Sequence, residues 1–450
     1  MLKYRKTIIS LAVLPVVFFA QSTLPAQISR KKHEGGNLNQ KVKKFDLSPA
    51  DDAFLEDLEK RSFSYFWENS DPKTGLTLDR AKTDGSGLPV NHPSYNIASI
   101  AATGFALTSL CVAADRKWVT TTDAKTRAKN TLDFFANHAF QKNGWFYHWL
   151  DKSTGERRWN SEISSIDTAL LLGGVLTVKQ CFADDVKIVQ LATQIYERVD
   201  FVWMLNDDAF LLSHGWRPET GFIPYRWADY SENSILYLLA IGSLTKPIGW
   251  RSWYKWKRQW VNYAGYHYLS AKAPIFIHQY SQAWFDFRNK RERMNGFKVD
   301  YFQNSVKATH AHKVCNLSLN SRFPGYSENM WGISAMDSAA GYVVWDCPPP
   351  AAEIDGTIAP YVAAASMMFA PQISLPVLKE MRSRFGTQIY GRYGFADAFN
   401  PNTKWVDSEV IGIDVGIQLL GIENMRSGKI WQWFMQNPET KLALIRAKIK

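Results

Sequence analysis

From residue 48 onward the chain alternates between two kinds of helical pattern. One kind is amphipathic, as in "TTDAKTRAKNTLDFFANHA", "DDVKIVQLATQIYERVDFVWML" and "WRSWYKWKRQWVNYAG". The other is apolar on nearly every side and rich in small residues: "YNIASIAATGFALTSL", "SSIDTALLLGGVL", "YSENSILYLLAIGSL", "HQYSQAWFDF", "GTIAPYVAAASMMFA" and "GIDVGIQLLGIENM". A helix without a polar face must be surrounded by protein. Six such helices, starting near residues 96, 164, 231, 278, 357 and 414 and separated by exposed ones, predict an all-α (α/α)6 barrel, a toroid of inner and outer rings. The intervals are too uneven for a solenoid repeat. The first helix opens at "SPADDAFLEDLEKRSFSYFWEN", with Ser48 as N-cap, Pro49 at the first helical position and acids in the first turn. Two segments rich in Trp and Gly, "GWFYHWLDKSTGERRWN" and "SHGWRPETGFIPYRW", lack helical period. They read as long loops or short hairpins over one mouth of the ring, and such loops commonly carry function. No linker interrupts residues 48–450, which read as one catalytic-size domain.

The N-terminal 47 residues are different. Lys3, Arg5 and Lys6 precede the apolar run Ile8–Ala20, which is short for a membrane span, and "TLPAQ" offers cleavage after Ala26. Residues 1–26 therefore read as a signal peptide and 27–47 as a flexible basic leader, so the protein is expected to be periplasmic or secreted, with no stable membrane span. The formal charge of +11 does not describe the folded body, because residues 1–44 hold nine Lys or Arg and a single acid, Glu34. A basic nucleic-acid footprint is thus absent from the domain itself. Cys111 and Cys181 fall in or at the end of apolar helical runs, where a small buried thiol fits. No CxxC, HExxH, GxGxxG, P-loop or GxSxG motif is present, so no metal or cofactor is expected.

All inner helices of such a ring run the same way, so their N-termini share one rim. Along it the chain supplies Asn96, Glu162, Asp167, Asp229, Glu232, His278, Gln279, Asp355, Asp407 and Asp414. Any one acid at a helix start can be a cap. Glu232 in particular could be the third residue of a helix capped by Asp229, a variant of the reciprocal capping box. Several carboxylates converging on one mouth repel one another by more than capping returns, and that points to function. Loop aromatics lie around them: Trp145, Tyr147, Trp149, Trp159, Trp216, Trp227, Tyr326 and Trp331. Asp151 and Glu328 sit in the same loops. Aromatic faces near carboxylates suit sugar rings, and two carboxyl groups suffice for glycoside hydrolysis, one donating a proton and the other activating water or attacking.

The blocks "FLEDLEKRSFSYFWE", "SIAATGFALT", "SEISSIDTALLLGG", "GWRPETGFIPYRW", "YSENSILYLLAIGS", "HQYSQAWFDFR", "DYFQNS", "GYSENMWGISAMD", "DGTIAPYVAAAS" and "IDVGIQLLGIENMRSG" occur in order over roughly residues 50 to 440. Together they resemble the bacterial β-1,2-glucanases of glycoside hydrolase family 144, whose sequences often bear the label "putative glucoamylase". The resemblance implies an (α/α)6 barrel, export, an inverting mechanism without a metal, and linear β-1,2-glucan or its oligosaccharides as partner. It places the essential acids at Glu232 and Asp414, with Asp407 as the alternative to Asp414. Substrate contacts are expected from Glu162, Asp167, Asp151, Trp159, Trp227, His278, Gln279, Tyr326, Glu328, Trp331 and Asp355. An endo-acting monomer is the leading expectation. Alternatives are an exo-acting relative releasing sophorose, a toroid hydrolase or lyase for another glycan (His278 with Tyr280 offers the His/Tyr pair of lyases), and a sugar-binding toroid without chemistry. The segments "MDSAAGYVVWDCPPPAAEIDG" and "VNHPSYNIASI" depart from the family pattern near the cleft.

Overall fold

The computed structural model describes residues 45–450 except Lys272, Asn295 and Phe297. The expected signal segment and nearly all of the leader lie outside the described residues. Thirteen α-helices are found among them. In chain order these are α1 (Pro49–Asn69), α2 (Ile100–Asp115), α3 (Thr121–Asp133), α4 (Ser165–Cys181), α5 (Val186–Glu197), α6 (Ser234–Gly242), α7 (Tyr280–Trp284), α8 (Tyr301–Ser318), α9 (Pro360–Ser366), α10 (Pro371–Phe385), α11 (Gly412–Arg426), α12 (Lys429–Phe434) and α13 (Pro438–Arg446).

The apolar helices form the inner ring. α2 packs on α4, α4 on α6, α6 on α7, α9 on α11, and α11 on α2 again. Between α7 and α9 the ring is closed by Gln279, whose Nε2 donates to the Val362 carbonyl (3.1 Å) and to Ser366 Oγ (2.9 Å). Every residue of α6 is buried, as a helix without a polar face requires. α2 and α4 touch backbone to backbone. A methyl at Gly174 would stand 2.1 Å from the Gly104 carbonyl oxygen, and one at Gly104 would stand 2.3 Å from that of Leu170. Around this ring α1 packs on α11 and α2, α3 on α2, α5 on α4, and α10 on α9.

Two inner helices are shorter than their patterns suggest. α7 is only Tyr280–Trp284, preceded by a 3₁₀ turn over Ile275–His278, and α9 is only Pro360–Ser366. A larger correction concerns "WRSWYKWKRQWVNYAG". It is a 3₁₀ turn, Trp250–Tyr254, followed by an antiparallel hairpin of Gln259–Tyr263 with Tyr266–Ser270. Ala264 and Gly265 both have positive φ (48° and 85°), the signature of a two-residue type I′ turn that matches strand twist. The place outside α6 is taken instead by α13, and a methyl at Gly242 would stand 2.2 Å from the Glu439 carbonyl oxygen. The C-terminal helix thus supplies a wall that the middle of the chain does not.

At the rim, short strands lead directly into three inner helices. Ile97–Ser99 precedes α2, Ile163–Ser164 precedes α4 and Glu409–Ile411 precedes α11. Each pairs with a loop strand: Thr77–Leu78 and Trp149–Asp151 flank the first, Gly215–Arg217 the second and Arg80–Lys82 the third. The second Trp- and Gly-rich segment is a short hairpin, Gly215–Arg217 with Gly221–Phe222, while the first pairs Trp145–Phe146 with Gln141–Lys142 and then sends Trp149–Asp151 to the strand ahead of α2. A disulfide joins Cys315 on α8 to Cys347 (Cα–Cα 5.8 Å) and ties down the proline-rich loop after it.

Candidate active site

Glu232 does not cap a helix. α6 begins at Ser234, its N-cap Asn233 accepts no helix N–H, and the Ile235 N–H is taken by Ser281 Oγ (2.9 Å) rather than by Asp229 or Glu232. Asn233 Nδ2 instead donates to the Asp229 carbonyl (3.0 Å), and the Glu232 carbonyl accepts from Ser281 Oγ (2.6 Å). The Glu232 carboxyl is thereby left free of helix duty on a half-buried segment at the mouth. Burial pushes it up to about 7, and the charge of Asp167 adds to the shift. A carboxyl in that state still holds a proton near neutrality.

A side-chain cap is found at α4. Ser164 Oγ accepts from the Asp167 N–H (3.3 Å) and donates to Asp167 Oδ2 (2.5 Å). Asp167 has a second role, because His148 lies between it and Glu162. Nδ1 is 3.1 Å from Glu162 Oε1, and Nε2 is 3.4 Å from Asp167 Oδ1. Burial opposes a charge on His148, but the two carboxylates outweigh it and raise its pKa. Burial likewise opposes ionisation of Glu162, yet His148, followed by Arg217, brings it down to about 2. Glu162 and His148 therefore form a fixed ion pair, while burial raises Asp167.

Across the mouth, Asp414 in the first turn of α11 is almost fully buried (4% exposed) and joins a group of acids from distant segments. Asp397 hydrogen-bonds to Asp414 and accepts the Asp337 N–H on Oδ2 (2.9 Å). Asp337, Asp397 and Asp407 each present an oxygen to one small space. One guanidinium serves the group. Arg80 Nη1 donates to Asp337 Oδ2 (2.7 Å) and Glu409 Oε2 (3.2 Å), and its Nε is 3.5 Å from Asp79 Oδ2. Lys82 also pairs with Glu409 (2.9 Å), which leaves Arg80 to the buried aspartates, and one guanidinium cannot keep all of them ionised. Burial and then the neighbouring acids push Asp397 to about 7 and Asp407 to about 8, and hold Asp414 well above the carboxylate range. These acids share protons, so their ionisation belongs to the cluster rather than to any single member. Tyr280 on α7 connects the two sides. Its hydroxyl donates to Asp414 Oδ1 (3.3 Å), and the fields of both Asp414 and Glu232 raise its pKa further after burial.

Sequence reasoning placed Glu232, Glu162, Asp167, Asp407 and Asp414 at this mouth and missed Asp79, Arg80, His148, Asp337, Asp397 and Glu409. Several other expected contacts are structural. His278 is buried (3% exposed) between Tyr230 Oη (3.1 Å) and Ser270 Oγ (3.3 Å), and burial lowers it to about 3. Gln279 locks the ring. Tyr326 and Trp331 are fully buried, the former bonded to the Thr357 carbonyl. Glu328 pairs with Lys313 on a surface where its own side chain is largely exposed. Asp355 turns its loop by accepting the Thr357 N–H, and Asp151 does the same for Ser153 and Thr154 while holding Asn96. Trp145 is core, bonded to the Asp200 carbonyl. Trp227 is half-buried, stacked on His214 (4.0 Å) and bonded to Ser165 Oγ. Trp159 remains a candidate for sugar contact. It is half exposed (49%), held at φ 51°, and meets Trp149 edge to face at 5.3 Å, while Trp149 stacks on His148 at 3.9 Å. A bulky residue at positive φ is strained, and such strain concentrates at functional sites.

Among the described residues two sets of side chains are gathered closely enough to surround an ion: His148 with Glu162 and Asp167, and Asp337 with Asp397 and Asp407. In the first, both histidine nitrogens already face carboxylates. In the second, Arg80 occupies one flank.

Stability should follow these ionisations. Glu232, Asp397 and Asp407 titrate near 7, 7 and 8 in the fold, against ordinary values of 4.5, 3.8 and 3.8. Between about pH 4 and 8 the native state therefore binds more protons than the unfolded chain. Their contribution is full below pH 4 and is lost as pH rises through 8. The melting temperature of Asp407→Asn is expected to fall less steeply than wild type over this window. Parallel curves would show that Asp407 does not titrate there.

The fold and the rim together define a class of helical toroids with a mouth lined by opposed carboxyl groups. Known proteins agree. A family model described as "Putative glucoamylase" matches residues 224–438. An exo beta-1,2-glucooligosaccharide sophorohydrolase (non-reducing end) of Parabacteroides distasonis is 24% identical over 430 residues, covering 87% of this chain; the chain spans only 57% of that relative's length. The endo-beta-1,2-glucanase of Chitinophaga pinensis, solved with sophorotriose and glucose, superposes with a TM-score of 0.82 at 26% identity, over 90% of this chain and 99% of that one. A glucoamylase-labelled structure from Bacteroides caccae gives 0.82 at 25%, over 89% and 99%. The chain thus resembles the bacterial β-1,2-glucanases bearing that label, in sequence and in fold.

Proposed function

We propose that the protein is a glycoside hydrolase acting on β-1,2-glucan, with Glu232 as general acid and Asp414 as the base. The observation that carries this is the Glu232 carboxyl: excluded from capping, desolvated to a pKa of about 7, and facing a proton-sharing acid cluster across Tyr280. A glycosidic oxygen seated at Glu232 takes its proton as the bond to the anomeric carbon breaks. When the cluster's shared negative charge rests on Asp414, that carboxylate, bonded to Tyr280, removes a proton from the water that attacks the opposite face. Glu162 is locked with His148, so it orients sugar hydroxyls rather than moving protons. The products are two shorter glucans.

With water as the direct nucleophile the reaction inverts, and the first product from a β-linkage is the α-anomer. Proton NMR during early turnover reads this, and an initial β-anomer would replace the water-activating role of Asp414 with direct attack. Endo action is our reading. It is supported by the Chitinophaga pinensis likeness along nearly the whole of that chain. The Parabacteroides distasonis relative is exo-acting, which keeps sophorose release as the second reading. Incubation with linear β-1,2-glucan and sizing of products separates them: a ladder means endo, disaccharide alone means exo, and an intact polymer rejects the function. No step needs a metal, so EDTA is expected to leave the rate unchanged. Loss of activity restored by a divalent ion would make ligands of the rim acids. Export is part of the same proposal, supported by the N-terminal apolar run and by the Cys315–Cys347 disulfide, which persists in oxidising compartments.

A further inference from the structure

The hairpin that stands where a helix was expected grows from the rim of the mouth. Its base is zipped to the segment entering Glu232: the Tyr230 N–H donates to the Lys257 carbonyl (3.0 Å), and the Lys257 N–H to that of Ala228 (2.7 Å). Three residues on, about 10 Å along an extended strand, stands Trp260. It is 48% exposed although it is one of the largest apolar side chains in the protein. Single exposed aromatics need no explanation in general. Trp260 differs in being held. One face of its indole lies flat on His267 (centroids 4.4 Å apart, planes 8° apart), so the exposed area belongs to the other face. His267 is fixed in turn by Nδ1, 2.6 Å from Asn262 Oδ1. The hairpin is anchored to α8 through Leu269, whose N–H donates to Asn304 Oδ1 (2.6 Å) and whose carbonyl accepts from Asn304 Nδ2 (3.0 Å). Among the described residues no second ring stacks on Trp260.

We propose that Trp260, backed by His267, is a sugar-binding platform beyond the catalytic cleft, taking a glucosyl unit of a chain that continues outward past Glu232. This rests on the glucan-hydrolase reading. A pyranose ring offers an apolar C–H face that a rigid, pre-oriented indole binds at little entropic cost. Such a platform acts on ground state and transition state alike, so it sets KM and leaves kcat alone. Only substrates long enough to reach it are affected.

The test compares wild type, Trp260→Ala and Trp260→Phe on β-1,2-glucan polymer and on a short β-1,2-linked oligosaccharide such as the tetrasaccharide. For Trp260→Ala we expect KM on the polymer to rise about tenfold at unchanged kcat, with tetrasaccharide kinetics and melting temperature unaltered, and partial recovery in Trp260→Phe. Equal polymer KM for wild type and Trp260→Ala overturns the platform and leaves the function standing. A parallel loss on the tetrasaccharide overturns it too, because the effect would then be on the cleft. A wild-type protein that leaves both substrates intact overturns the reading beneath it.

Discussion

Glu232→Gln is expected to lower turnover on β-1,2-glucan by at least about a hundredfold while the melting temperature stays nearly fixed. General acid catalysis is typically worth about 10²–10⁴-fold, and the amide fills the same space without a proton to give. The usual objection to such a test is that an acid at a helix start is being removed from a cap. Here that objection fails, because α6 starts two residues later and the Glu232 side chain holds no helix N–H. Removing a carboxyl pushed up by burial also relieves a group that becomes charged in a desolvated place above pH 7. Binding of the glucan should persist, since an amide still hydrogen-bonds sugar hydroxyls. A folded Glu232→Gln protein working near the wild-type rate would pass the acid's role to Asp167, the other raised carboxyl on that side.

Asp414→Asn should be as severe for activity, at least about a hundredfold, and opposite in sign for stability. An amide still accepts the Tyr280 hydroxyl at the 3.3 Å position but can no longer take a proton from water. At the same time one buried negative charge leaves a group in which Asp337, Asp397 and Asp407 depend on a single guanidinium. The melting temperature is therefore expected to rise at pH 8, where repulsion is greatest, and to change less at pH 5, where Asp397 and Asp407 hold their protons. Rate assays paired with calorimetry at both pH values check this. If Asp414→Asn retains activity and Asp407→Asn abolishes it, the base is Asp407. Loss of stability on removing the charge would mean that Asp414 is a structural acceptor.

The six inner helices were legible because a helix without a polar face has only one place to go. Glu232 was legible for a related reason: a carboxylate at the head of such a helix contradicts its surroundings. The hairpin over 259–270 was not, since Trp253, Trp256 and Trp260 satisfy a helical period and the decisive signal is only the Ala264–Gly265 turn. Half of the acid cluster was equally hidden. Asp337 lies in the four-residue strand Ala335–Ser338 and Asp397 in a bend, both too short to show a period, and Arg80 meets Glu409 through a strand pairing across 329 residues that no local pattern encodes. His148 stood within "WFYHWL", where the aromatics around it drew attention as sugar stackers. Buried Tyr326 and Trp331 were over-read for the same cause, because composition does not say which way an aromatic side chain faces.

The pairing of Arg80–Lys82 with Glu409–Ile411 has a consequence for synthesis. A nascent chain that has emerged only to residue 400 already holds Glu232, Glu162 and His148, but Arg80, the counter-charge of the acid cluster, has no strand to dock on, and Asp407 and Asp414 have not yet left the ribosome. The outer wall of α6 is later still, because α13 ends at Arg446. The acid cluster is thus complete only when both ends of the domain are present, and under the proposed mechanism a chain stopped at residue 400 lacks its base.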